Sequence, residues 1–148
     1  MGRAARNRLT SMSENLAFRV RRITADDADE WTRLRCELWP EGQEDHAPEI
    51  ASFFAGALPD VAEVLVAETS KATIVAFAEL SIRTDLPPLI GMKVGYVEGL
   101  YVIPEARGSG VTWALLLASR DWARQQKCKA FASDRVDRLI IDKGFNRL

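Results

Sequence analysis

The sequence predicts an α/β (α+β) fold, a mixed and mostly antiparallel sheet flanked by helices. Three observations predict it. Strand-like runs over 62–69, 73–83 and 94–102 follow one another as a meander. A glycine turn, a helix-spaced run and a short apolar strand come next, which is a β-α-β unit with a parallel pair. The 148 residues suit one domain, and a chain of that size buries roughly 70% of its unfolded surface without disulfide or metal.

The elements follow in order. Residues 1–16 form a basic leader, expected to be disordered, ahead of a single domain over 17–148. "AFRVRRI" alternates apolar and basic residues as a half-buried strand does. In "TADDADEWTRLRCELWP", Thr24 stands as N-cap with acids in the first turn, and Pro40 stops the helix. "EGQEDHAPEI" is expected as a polar loop and "EIASFFAGAL" as a short helix. Ser70 and Lys71 turn the first hairpin of the meander, and "TDLPPLIGMK" the second. After the glycine turn, Val111, Ala114, Leu115, Ala118 and Trp122 share one helix face. "CKAFASD" is a short buried strand, and "RVDRLIIDKGFNRL" is expected to form a short helix at most.

Charge and cysteine usage narrow the function classes. Residues 1–22 carry six basic side chains and one acid, while 23–148 carry 14 basic and 20 acidic, a net of −6. Ten acids stand against Arg33 and Arg35 within 26–60. Such a field repels nucleic acid and draws in cations. No apolar run approaches the roughly 20 residues of a membrane span, and the N-terminus lacks the apolar segment of a signal peptide. Cys36 and Cys128 form no CxxC or Cys/His cluster, which points to a reducing compartment and no metal site. A cytoplasmic protein is expected, with no nucleic-acid or membrane partner. His46, the sole histidine, is expected at the surface in the polar loop.

The stretch "YVEGLYVIPEARGSGV" carries the chemistry. A strand containing one carboxylate, Glu98, runs into a turn through Gly108, Ser109 and Gly110 at a helix start. Bare N–H groups at a positive helix end cradle anions, and Arg107 adds a planar fork of donors. The pattern V-x-P-x-x-R-x-x-G, here Val102, Pro104, Arg107 and Gly110, resembles the coenzyme A pyrophosphate loop of the GNAT acyltransferases. Thr112 stands where that family usually has Gly or Ala, so it either crowds the phosphate or bonds to it through its hydroxyl. "WTRLRCELWP", "FAELSIRTD", "YVEGLYV" with "RGSGV", and "FASD" together resemble the aminoglycoside 6′-N-acetyltransferases of that superfamily, from about Arg19 to Asp134.

The resemblance implies acetyl-CoA as co-substrate, a cationic aminoglycoside as acceptor, no metal and a GNAT fold. It assigns Glu98 and Asp134 as catalytic residues that also hold the acceptor's ammonium groups. It assigns the cofactor to Leu100, Tyr101, Val102, Arg107, Gly108, Ser109, Gly110, Val111 and Thr112. Trp39 is implied as a platform for a sugar ring, with Glu79 and Asp85 at the pocket rim. The family's closing loop, helix and strand are longer than "RVDRLIIDKGFNRL", and only Gly144-Phe145 echoes them. The last strand or strands are therefore expected to be missing, leaving a sheet edge that favours a homodimer. Two other readings stay open: acetylation of another amine, such as a polyamine or a protein N-terminus, and an inactive domain that only binds coenzyme A.

Overall fold

The computed structural model describes residues 17–135 and 138–142. The leader over 1–16 and the Gly144-Phe145 pair lie outside the described residues. Among the described residues, six strands form one sheet: β1 (Phe18–Arg22), β2 (Glu63–Thr69), β3 (Ile74–Arg83), β4 (Val94–Val102), β5 (Ala130–Arg135) and β6 (Arg138–Asp142). They lie side by side in chain order. Each neighbouring pair is antiparallel except β4 and β5. A parallel pair needs a crossover, and α3 (Val111–Gln125) supplies it. Two further helices, α1 (Ala28–Leu38) and α2 (Gln43–Phe54), join β1 to β2.

Strand alternation divides the core into two layers. Val64, Val66 and Phe77 pack with Trp31, Leu34 and Ile50 on the α1–α2 side. Leu65, Ala78, Leu80 and Val97 pack with Leu115 and Trp122 on the α3 side. With both faces covered, β3 is buried from Ile74 through Ser81. Gly95 lets α3 approach β4 closely: a Cβ there would lie 2.4 Å from the Ala123 Cβ.

Two elements differ from the sequence reading. The loop expected over 41–50 is mostly the first half of α2, despite Pro48 inside the helix. The short helix expected after β5 is strand β6, and it pairs along β5 from Phe131 to Arg135. One closing strand therefore stands where the last strand or strands were expected to be missing. The physical reason is the open edge of β5, whose N–H and C=O groups need partners.

The entry to α1 is fastened by charge. The Arg21 guanidinium donates to both Asp27 oxygens at 2.8 and 2.9 Å and to Glu68 Oε2 at 2.7 Å. The Thr24 N–H donates to Asp27 Oδ2 at 2.8 Å. Arg21, and then Thr24 against the opposing effect of burial, hold the Asp27 carboxyl below its ordinary value of 3.8. A depressed carboxyl stabilises the fold above its unfolded value, and that contribution is lost as pH falls through the folded one. Asp27→Asn is expected to cost about 1–3 kcal/mol at neutral pH. The gap to wild type should narrow progressively as pH falls below the ordinary aspartate value of 3.8. Urea unfolding across the acid range checks this, and a gap that stays constant from neutral to acid pH would refute it.

Candidate active site

β4 carries one residue more than β3 can match. Glu79 pairs with Gly99 and Leu80 with Val97, so Glu98 is the extra residue of a β-bulge. The bulge puts Glu98 and Gly99 in succession on the α1 side and breaks the alternation expected along 94–102. Tyr96, paired with Ser81, shares the Glu98 face, whereas Leu100 packs against the α3-side core. The Glu98 carboxylate is held at both oxygens. Ser81 Oγ donates to Oε1 at 2.7 Å, Arg83 Nε to Oε1 at 2.8 Å, and Arg83 Nη2 to Oε2 at 2.9 Å. Arg83 also lies over the Tyr96 ring, 4.4 Å from its centroid. Burial works against the Arg83 charge, but the Glu98 carboxylate outweighs it and raises the Arg83 pKa. Asp60 and Asp85 join Arg83 and Glu98 around a cavity of about 370 Å³, with Asp85 exposed on its lining.

The same bulge marks a fork. β4 and β5 pair only as far as Val97 and Ser133. Beyond that, β4 runs on to Val102 along β3 while β5 runs on along β6. Glu98 and Asp134 are thus the first residues past the fork, one on each strand. Asp134 is placed by its backbone, opposite Leu139, and its side chain lies outside the description.

Below the fork, Leu100, Tyr101, Val102, Arg107 and Thr112 line a groove of about 600 Å³ with Glu37 and Leu38 of α1. The turn closing it has left-handed backbone at Gly108 (φ 81°) and Gly110 (φ 91°), which only glycine adopts at no cost. Among the described residues, and apart from the glycines' own chain neighbours and helix backbone, no protein atom lies within 4 Å of where a Cβ would stand on either glycine. The first bond of α3 runs from the Ala114 N–H to the Gly110 carbonyl at 3.0 Å, so the N–H groups of Val111, Thr112 and Trp113 precede the ladder. The Val111 side chain is core, which leaves its N–H alone for a ligand. Arg107 Nε donates to the Val102 carbonyl at 3.0 Å. That bond ties the guanidinium to the end of β4 and leaves its other donors for an anion.

Trp39 caps α1 and packs its ring onto β4. A Cβ at Gly99 would meet Trp39 Cη2 at 2.5 Å and Cζ2 at 2.8 Å. The other face of the α1–α2 turn opens on a cavity of about 630 Å³ lined by Trp39, Glu41, Asp45, His46 and Glu49.

Two sequence expectations are corrected. Glu79 does not reach the pocket rim: it is 1% exposed, and its carboxylate accepts from Trp31 Nε1 at 3.0 Å and from Arg35 Nε and Nη2 at 2.6 and 3.0 Å. It serves as the counter-ion of a buried arginine. His46 is 5% exposed, not a surface residue, because α2 turns it inward onto Arg35 and Trp39. Arg83, Ser81 and Gly99 were not among the sequence candidates. A glycine directly after an acid inside an apolar strand was the available signal for the bulge.

The model of the Acetyltransferase (GNAT) family matches residues 27–139, which contain the bulge, the fork and the glycine turn. The chain belongs to this family. It is 42% identical over 116 residues to an aminoglycoside N(6′)-acetyltransferase type 1 from Klebsiella aerogenes, covering 78% of this chain and 76% of the relative. A protein of the same name from Stenotrophomonas maltophilia is 37% identical, with 78% and 73% covered. Among solved structures, the aminoglycoside 6′-N-acetyltransferase AAC(6′)-Ih from Acinetobacter baumannii superposes with a TM-score of 0.71 at 30% identity, covering 81% and 80% of the two chains. AAC(6′)-Iy in complex with a bisubstrate analogue, CoA-S-monomethyl-acetylneamine, also gives 0.71, at 26% identity over 80% and 79%.

In this GNAT chain the Trp39–Gly99 contact joins α1 to the bulge. Gly99→Ala is expected to cost about 1–3 kcal/mol through overpacking. A second change, Trp39→Leu, should recover most of that loss by removing the ring. Thermal unfolding of the single and double variants checks the coupling. Equal losses in both would mean that the ring is not what excludes a side chain at residue 99.

Proposed function

We propose that the chain transfers the acetyl group of acetyl-CoA to the 6′-amine of aminoglycoside antibiotics by direct attack. The observation that carries the reading is the fork, with Glu98 and Asp134 flanking its start and the anion cradle closing its far end. The relatives' names supply the acceptor class.

Acetyl-CoA brings an activated acyl thioester. Gly108, Ser109 and Gly110 with the N–H groups of Val111 and Thr112 fit its pyrophosphate, and Arg107 adds a cation. The open edge of β4 at Leu100, Tyr101 and Val102 offers backbone groups to the thioester arm. An N–H aimed at the carbonyl there stabilises the charge that develops on oxygen. A carboxylate has about four acceptor sites. Ser81 and Arg83 occupy three on Glu98, and the remaining one suits an ammonium or the water that takes its proton. Asp134 answers it from the other arm of the fork, and Trp39 and Asp85 bound the acceptor's path. Cys128 is buried, which raises its thiol pKa, in keeping with transfer without an acyl-cysteine intermediate.

The two cysteines are free, and among the described residues no helix is long and apolar enough to cross a membrane; both features suit a cytoplasmic enzyme. A homodimer formed along the outer edge of β6 completes the proposal. Thiol release from acetyl-CoA with kanamycin, spermidine and N-terminal peptides tests the acceptor class. Turnover of spermidine or peptide but not kanamycin would move the reading to another amine. Binding of acetyl-CoA with no turnover would reduce the chain to a binding domain.

Gly110→Val should weaken acetyl-CoA binding at least about tenfold, or 1.4 kcal/mol, because the side chain enters the cradle. Calorimetric titration of the folded variant checks it, and unchanged affinity would remove the cofactor from this loop. Glu98→Gln should lower kcat/KM for the aminoglycoside by about 10²–10⁴-fold, with acetyl-CoA affinity close to wild type. Full activity in that variant would make Glu98 an ordinary strand residue.

A further inference from the structure

We propose that His46 is a positioning residue for the acceptor site: as a neutral imidazole it locks the α1–α2 turn and so holds the Trp39 ring against Gly99, next to Glu98. The inference rests on the acetyltransferase reading of this site.

Both ring nitrogens of His46 have partners inside the protein. Arg35 Nη1 lies 3.3 Å from Nδ1, and the Trp39 carbonyl oxygen lies 2.9 Å from Nε2. A guanidinium only donates and a carbonyl only accepts. Nδ1 must therefore accept, and Nε2 must carry the hydrogen it gives to Trp39. That pattern is one tautomer of the neutral ring, with the hydrogen on Nε2. Arg35 does not turn away, because Glu79 grips it through two bonds and Glu49 through a third at 2.6 Å. The charged groups facing His46 are Arg35 from α1, Glu41 in the turn, and Asp45 and Glu49 on α2 itself, with Glu79 of β3 behind Arg35.

Trp39 is the residue this arrangement controls. Its N–H donates to the Arg35 carbonyl at 2.7 Å. Its carbonyl, past the helix end and outside the helical ladder, is taken by His46. With both backbone groups held, the Trp39 backbone is fixed at the helix end, and from there its ring rests on Gly99. An untethered turn would let the wall beside Glu98 shift, and a misplacement of about 1 Å costs up to roughly a hundredfold in a reaction that depends on orientation.

Two substitutions separate positioning from bulk packing. His46→Gln supplies one acceptor and one donor in a planar amide, as the neutral ring does. His46→Phe keeps the plane and offers neither. His46→Phe is expected to raise the KM for kanamycin about tenfold or more while the KM for acetyl-CoA stays within about twofold, and His46→Gln should stay within about threefold of wild type on both. A readout independent of activity comes from the full chain labelled with 5-fluorotryptophan. The Trp39 resonance, assigned with Trp39→Phe among the four tryptophans, should move in His46→Phe and stay in place in His46→Gln. An unmoved Trp39 resonance in both variants would overturn the proposal. So would KM values for both substrates rising together with a fall in melting temperature. Should the wild-type chain acetylate no aminoglycoside, the functional reading fails, and the fluorine spectra still decide the role of His46.

Discussion

The site depends on a mismatch of one residue between two strands. β4 cannot pair fully with β3 between Val97 and Gly99. The extra residue has nowhere to go in the ladder, so the strand kinks and two consecutive side-chain positions share one face. The first of these is Glu98 and the second is Gly99. Had the strand stayed regular, Glu98 and Gly99 would face opposite sides of the sheet. Either the carboxylate would be buried under α3, or the tryptophan would find no flat backbone to rest on. The strand also parts from β5 at the same level, so the bulge and the opening form one feature.

Such a feature needs a rigid wall opposite, and buried charge supplies it. Burial works against the Arg35 charge, but the Glu79 and Glu49 carboxylates outweigh it and raise the Arg35 pKa. The Arg35 and Glu79 side chains are 6% and 2% exposed. Leaving either without its partner costs about 3–5 kcal/mol, although a matched apolar pair would hold the fold as well. What a pair of leucines would lack is direction. The Arg35 fork fixes the rotation of α1 relative to β3, spends its remaining donors on Glu49 and His46, and lies over the Trp39 ring, 5.3 Å from its centroid. The ion pair thus sets the geometry of the turn that carries Trp39.

The sequence revealed what repeats and concealed what depends on distant partners. Strand-like apolar runs located β2, β3 and β4, and the helical face of α3 followed from Val111, Leu115 and Trp122. The glycine turn was visible because its backbone conformation demands Gly108 and Gly110. Glu98 stood out as an acid in an apolar strand, but strict alternation hid the bulge, and alternation from Glu98 would put Leu100 on the wrong face. Glu79 was assigned to the pocket rim and His46 to the surface because nothing local reveals that Arg35, a neighbour of neither in the chain, neutralises one and binds the other. The first half of α2 was missed for the same reason: a mostly polar start with a proline looks like a loop until the buried Arg35 gives His46 and Glu49 a partner. The apolar run Leu139-Ile140-Ile141 became strand because β5 presented an edge, a tertiary fact that local sequence does not carry.

The carboxylates around the site divide by how they are used. Glu98 and Glu79 are bound to arginines, with side chains 22% and 2% exposed, so each presents little net charge to a visitor. Asp60 and Asp85 on one cavity and Glu41 and Asp45 on the other form no ion pair among the described residues. The inner set is therefore suited to shape and hydrogen-bond geometry, and the outer set to attraction at a distance. A polyamine sugar approaching such a surface is drawn by the outer acids, whose exposed charges act over about a Debye length. On the proposed reading it then meets Glu98, on which Ser81 and Arg83 leave one acceptor site. On that reading, affinity for cations in general and selection of one amine among several would fall to different residues.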